Sequence, residues 1–151
     1  MVASGHLERI AMKNSSTFRL TFHVSHPSAA AAEIVAAFGL PARYAQSVGM
    51  PKQTKTGKLL GGVYQRTNVS FTLHEHPLNF QGASMESLIR ESLTSFDRNY
   101  LLTIHETSGS CHFLVGVFSS ENVMFDISLD AINELAASNV SIKFDFYGGE
   151  E

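Results

Sequence analysis

Residues 123–147 read VMFDISLDAINELAASNVSIKFDFY, two alternating apolar runs flanking one capped amphipathic segment. In the second run Val140, Ile142, Phe144 and Phe146 alternate with Ser141, Lys143, Asp145 and Tyr147. Side chains of a strand point alternately to its two faces, so this period predicts a sheet with one buried and one wet side. Ahead of it, Ser128 is placed to accept from first-turn amides, Asp130 meets the positive end of the helix dipole, and Asn139 tolerates the left-handed conformation that ends a helix. The predicted helix runs over 129–138, with Leu129, Ile132, Leu135 and Ala136 on the packed stripe and Asn133, Glu134 and Ala137 turned to water. Val123, Phe125 and Ile127 alternate with Met124 and Asp126, which predicts a short strand before the helix. Together the three pieces predict a β-α-β unit, normally parallel and right-handed.

The same signals extend outward to the rest of the chain. Phe18, Leu20, Phe22 and Val24 alternate with Arg19, Thr21 and His23, predicting a first strand that begins near Thr17. An alanine-rich helix follows over 28–38, with Pro27 at its entry, Gly39 as its stop, and Ile34, Val35 and Phe38 turned to the sheet. Residues 41–66, PARYAQSVGMPKQTKTGKLLGGVYQR, show neither period and predict one long loop. Val69, Phe71 and Leu73 give another strand, closed by Pro77, and the turn-rich HPLNFQGAS follows it. Ser84 caps one long helix or two abutting ones over 85–107, with Asp97 as the point of restart and Gly109 as the end. CHFLVGVF, at 111–118, is too apolar for one wet face and predicts a central strand.

The order is then β-α-β-α-β-β-α-β. It predicts a single-domain α+β protein whose antiparallel-dominated mixed sheet has about five strands, with helices mainly on one face, in the ferredoxin-like theme of split β-α-β halves. The domain is expected over 17–147, preceded by a loosely ordered leader at 1–16 and followed by a frayed tail at 148–151.

Composition bounds the class further. A chain of 151 residues fits one domain. With 44% hydrophobic residues and eleven Phe against no Trp, phenylalanine supplies most of the bulky core. A net charge of −3 gives no global attraction to nucleic acid or to an anionic membrane. The lone Cys111 excludes an internal disulfide and a zinc-thiolate cluster, and reads as a buried core thiol. No run of about 18 apolar residues exists to span a bilayer. Glu8 and Arg9 stand where a signal peptide would be hydrophobic, so the expectation is a cytoplasmic protein.

Several local patterns resemble the DUF4279 family, a group of small bacterial domains of unknown function. They are the opening FRLTFHVS, the helix ending AAFGLPARY, the glycine-bearing basic loop, and the terminal strand-helix-strand in which Phe125, Asp126, Ile127 and Ser128 open the last helix. The resemblance covers 17–147. It implies the same order of elements and brings no activity or catalytic residue with it. This chain departs from the family where relatives carry a Trp after the loop glycines, because Gly61 and Gly62 lead here to Val63 and Tyr64.

Three constellations bear on function. His74 and His76 in HEHP share a strand face and offer two imidazoles, but a third metal ligand would have to come from distant His23, His105 or His112; two exposed histidines at a strand end are the simpler account, so no metal site and no cofactor are expected. Arg43, Lys52, Lys55, Lys58 and Arg66 form a cationic stretch with no acid between Ile34 and Leu73. Gly57 and Lys58 lead into Leu59, so this is not a phosphate-binding loop of the Walker type, and a solvated connection kept soluble by its lysines is the plain alternative. Catalytic pairs are missing: Cys111 and His112 are strand neighbours that point to opposite faces, no GxSxG elbow occurs, and Asp126, Asp130, Glu150 and Glu151 read as face, cap and tail.

The sequence therefore points to a non-catalytic binding or interaction module, of an immunity-like or regulatory kind, that meets an anionic protein or ligand through the basic 41–66 stretch. Its rival is an enzyme or small-ligand binder that uses the same cations to hold a phosphate or carboxylate. Cations that converge on a hollow favour the small ligand, and cations spread over an open surface favour a macromolecule.

Overall fold

The computed structural model describes residues 16–148; the parts of the leader and tail expected at 1–15 and 149–151 lie outside them. In chain order the elements are β1 (Thr17–His26), α1 (Ala31–Phe38), β2 (Ala42–Gln46), β3 (Pro51–Gln53), β4 (Leu59–Val63), β5 (Thr67–Thr72), β6 (Leu78–Asn79), α2 (Met85–Ser95), α3 (Arg98–Glu106), β7 (Ser110–Ser119), α4 (Leu129–Ala137) and β8 (Val140–Gly148). The main sheet runs β2-β5-β1-β7-β8, with β6 added against the start of β1, and β3 and β4 form a separate hairpin. Every pairing is antiparallel except β7 with β8. The protein is a single-domain α+β fold with an antiparallel-dominated mixed sheet.

Two β-α-β units organise it. In the first, β1 and β2 both run antiparallel to β5 between them, so β1-α1-β2 is a split unit. In the second, β7-α4-β8, the two parallel strands are immediate neighbours. The helices cover the sheet face that carries Phe18, Leu20, Phe22 and Val24, where Ile34, Ile89, Leu93, Leu101 and Leu135 join the core. Phenylalanine dominates its centre: Phe22 lies 4.6 Å from Phe96, 5.1 Å from Phe113 and 5.3 Å from Phe38 between ring centroids.

Local signals set the helix ends. The Ser128 hydroxyl accepts from Ala131 N at 3.2 Å, Ser84 accepts from Ser87 N at 3.2 Å, and Asp97 accepts from Asn99 N at 2.9 Å, which splits 85–107 into two abutting helices. Gly39 closes α1 at φ 64° and Asn139 follows α4 at φ 59°, both in the left-handed region. Arg90 spans from α2 to Glu134 of α4 as a forked pair at 2.8 and 3.2 Å. Glu86 accepts from the Ser128 backbone N–H, so the starts of α2 and α4 are joined.

Four sequence expectations are corrected. The stretch at 123–127 is not a strand, although Phe125 and Ile127 do pack on the core. The parallel partner of β8 is β7, already paired on its other side by β1, so the period of two at 123–127 reports alternate burial without a ladder. Residues 41–66 are not one loop but hold β2, β3 and β4; their side chains are almost all exposed, which leaves no apolar alternation to read. Helix α1 begins at Ala31, three residues later than 28, because 27–29 bend around His26, whose Nδ1 accepts from the amides of Ser28 and Ala29 at 3.0 and 2.8 Å. On α4 the buried side chains are Ala131 and Leu135, while Leu129 and Ile132 are exposed. Helix α4 thus meets the sheet along Ala131, Leu135 and Ser138, a face that keeps Leu135 of the expected stripe and leaves out Leu129 and Ile132.

Candidate functional site

The five cations of the 41–66 stretch do not converge. Lys52 lies on β3, Lys55 in the turn after it and Lys58 just before β4, all exposed on the projecting hairpin. That turn is closed by Thr54 N to Lys58 O at 2.8 Å and Gly57 N to Thr54 O at 3.0 Å. Arg66, itself exposed, is tied back to the body of the fold, where its Nε donates to Ser25 Oγ at 2.9 Å and its Nη2 to the Ser108 carbonyl at 3.3 Å. Arg43 sits on edge strand β2 where the register shifts between Ala42 and Tyr44. A bulge of this kind re-aims a side chain, and the guanidinium bears on His23 of β1.

His23 belongs to the sheet face that no helix covers. Opposed residues of paired strands point to the same side, so the registers Tyr44↔Ser70, Ser70↔His23, His23↔His112 and His112↔Ser141 define one row of side chains across all five strands of that face. The row beside it is Thr72, Thr21, Leu114 and Lys143. Farther along, Arg19 sits 5.9 Å over the Phe118 ring, which stacks on Tyr147 at 4.8 Å. These rings lie beside Gly116, where a Cβ would stand in ordinary contact, 3.4 Å from Phe118 and 3.7 Å from Tyr147.

The two histidines stack at 4.9 Å with planes 4° apart, and Thr21 Oγ1 lies 2.9 Å from His23 Nε2. Burial, then Arg43 and Lys143, hold His23 below the ordinary histidine range. Burial, then Lys143 and His23, push His112 down to about 4. Both rings are therefore neutral at pH 7, each with one N–H donor and one lone pair.

Between Tyr44 and His23, Ser70 is fully buried, and its hydroxyl has no hydrogen-bond partner among the described residues. An orphan buried hydroxyl costs about 1–3 kcal/mol, and such groups are rare in folded proteins. The acid on this face, Asp145, accepts from the Tyr147 hydroxyl. That bond, chiefly, raises the Tyr147 pKa, and Arg43 opposes it as a smaller influence.

The remaining polar residues offer less chemistry. His26 is buried, with Nδ1 occupied by two amides and Nε2 2.8 Å from Thr107 Oγ1, so the cavity of about 280 Å³ beside it, Glu33 and Tyr100 has no free imidazole. Burial raises the Cys111 thiol to about 12, which keeps it protonated and inert. Cys111 and His112 face opposite sides of β7. His74 and His76 follow the end of β5 in a turn, and among the described residues no group of three or more His, Cys, Asp or Glu side chains is placed to hold a metal ion.

Sequence reasoning missed Ser70, His112 and Lys143 as one group. Their only common signal is that each is the polar alternate of an apolar strand, and the register that aligns them is set by tertiary structure. Comparison of the chain with protein-family models, curated proteins and solved structures finds no match. No described helix is long and apolar enough to cross a membrane.

Proposed function

We propose that the protein is a non-catalytic binding module that docks an acidic protein partner through the β3–β4 hairpin. The observation that carries this reading is the hairpin's composition in place: Met50, Leu59, Leu60 and Val63 are exposed beside Lys52, Lys55 and Lys58. Its strands pack substantially on each other alone. A lone two-stranded hairpin is marginal in water, and Gly61 and Gly62, at φ 83° and 75°, weaken this one further by leaving β4 without side chains at two positions. A partner that covers the four apolar side chains and neutralises the lysines supplies what the fold does not. Spread cations on a protruding element suit a macromolecular surface better than a small ligand.

The test places a photoreactive side chain at Leu60, with Ser95 on α2 as control, and crosslinks in native lysate. The captured protein is then reconstituted with purified variants. We expect an acidic protein from position 60 only, with affinity that falls with salt and drops roughly tenfold or more in the Lys52→Ala, Lys55→Ala, Lys58→Ala triple variant. An affinity unchanged by that triple variant, or equal capture from both positions, refutes the hairpin as the contact.

A further inference from the structure

We propose that the uncovered face of the main sheet is a second, independent binding site, for the phosphate group of a small molecule, seated over Ser70 and His23 between Arg43 and Lys143. Four observations converge on it. The Ser70 hydroxyl is fully buried, lacks a partner and, by its register with Tyr44 and His23, points to this face. The stacked histidines lie on β1 and β7, between edge strand β2, which carries Arg43, and edge strand β8, which carries Lys143; Lys143 lowers the pKa of both rings and Arg43 that of His23. Neither belongs to an ion pair among the described residues, where Arg90–Glu134 is the pair formed. The acid on the face, Asp145, is engaged with Tyr147.

The donors suit a tetrahedral oxyanion. Ser70 offers O–H, Arg43 a planar fork, Lys143 a rotating ammonium, and the neutral imidazoles one N–H each. A carboxylate has two oxygens to present to this set, whereas a phosphate monoester presents three and carries up to two charges to match the two cations. The half-exposed Tyr44 ring, 6.4 Å from His23, lies beside the anion position and gives the organic part of such a molecule a flat apolar contact.

Occupancy has a proton signature. The charged and titratable groups that face the histidine pair are Arg43 and Tyr44 from β2, Arg19 from β1, and Lys143, Asp145 and Tyr147 from β8. The two cations nearest the rings disfavour imidazolium, and a bound phosphate reverses their influence. A bound phosphate therefore raises the titration midpoints of both histidines.

The experiment uses the full chain and inorganic phosphate as probe, followed through the histidine ring proton signals in NMR, with chloride at matched ionic strength as reference and acetate as the carboxylate arm. Expected are saturable millimolar shifts of His23 and His112 with phosphate, weaker ones with acetate, and none with chloride. The His112 midpoint should rise from about 4 when phosphate is bound. Arg43→Ala and Lys143→Ala should each weaken phosphate at least fivefold. Ser70→Ala should weaken it similarly without lowering the melting temperature, because it removes an orphan hydroxyl rather than a bond. Shifts equal in phosphate and chloride overturn the proposal, as does a Ser70→Ala protein that melts lower yet binds phosphate as wild type does. The hairpin lysine variant leaves this site intact, so either surface can fail alone.

Discussion

Replacing Phe22 by Ala removes the ring at the centre of the aromatic cluster, and the structure fixes how much that costs. Phe22 is fully buried in the middle of the sheet, with Phe96, Phe113, Phe38 and Phe71 at 4.6, 5.1, 5.3 and 6.4 Å. Its neighbours are held by β5, β7, α1 and the end of α2, so they cannot all collapse into the space. The loss should lie at the top of the Phe→Ala range, about 4–5 kcal/mol, since the aromatic contacts add to the transfer and cavity costs. Phe144 also faces the core but sits on edge strand β8, only partly buried, with Phe125 and Phe146 at 5.4 and 6.2 Å. Phe144→Ala should cost about half as much, roughly 2 kcal/mol, because one side of its cavity opens to water. In urea, with a slope of about 1.5–2 kcal/mol/M, the midpoints should fall by about 2–3 M and about 1 M respectively. Equal shifts for the two variants would refute the ranking of burial across the sheet, and a negligible shift for Phe22→Ala would refute the strand phase itself.

Burial of His112 and the close packing at Gly109 each set a further outcome. The His112 pKa of about 4 lies below the ordinary 6.5, so the unfolded chain binds more protons between these values; the stability from this ring is whole above about 6.5 and is lost as pH falls towards 4. A sealed ring would contribute about 3 kcal/mol and solvent screening of this half-exposed one reduces that to about 1–2 kcal/mol, read as the difference between wild type and His112→Asn in urea midpoints at pH 7 and pH 4.5, where an unchanged difference would contradict the burial of the ring. Gly109→Ala would place a Cβ 2.6 Å from Ile104 Cγ2, 2.7 Å from His26 Cδ2 and 2.9 Å from the Ile104 carbonyl. The carbonyl cannot yield, so overpacking should cost about 1–3 kcal/mol in a thermal melt, and a wild-type melting temperature would show that the α3–β7 turn can open.

Much of the fold was legible because its signals are local. The caps at Ser84, Asp97 and Ser128, the Gly39 stop, the alternation in β1 and β5, that in β8 up to Phe144, and the apolar run of β7 each depend on a few neighbouring residues, and each appears where the sequence puts it; Phe146, at the end of β8, is exposed. Edge strand β2 and the hairpin could not be read this way. ARYAQ and LLGGV bury almost nothing, so backbone pairing alone makes them strands. The stretch at 123–127 failed in the opposite sense: Phe125 stacks on Phe80 at 5.6 Å, so its apolar alternation is real packing, but no neighbouring strand is there to pair with it. Period reports burial, and burial and pairing part company at the margins of a sheet.

The sheet-face site was hidden for a related reason. Charge that is clustered in sequence proved dispersed in space: Lys52, Lys55 and Lys58 share a hairpin and no common target, and Arg66 is consumed by Ser25 and Ser108. Arg43 and Lys143 stand far apart in the chain, yet both bear on His23. Neither composition nor spacing ties them. What ties them is register, set by the bulge in β2, by the antiparallel alignment of β5, β1 and β7, and by the parallel crossover through α4. A one-residue slip in any of these pairings would send the slipped strand's half of the row into the core. A net charge of −3 is no obstacle to an anion here, because field at a site depends on the nearest unpaired groups. On this face those are the two cations, while the acid beside them is bonded to a tyrosine.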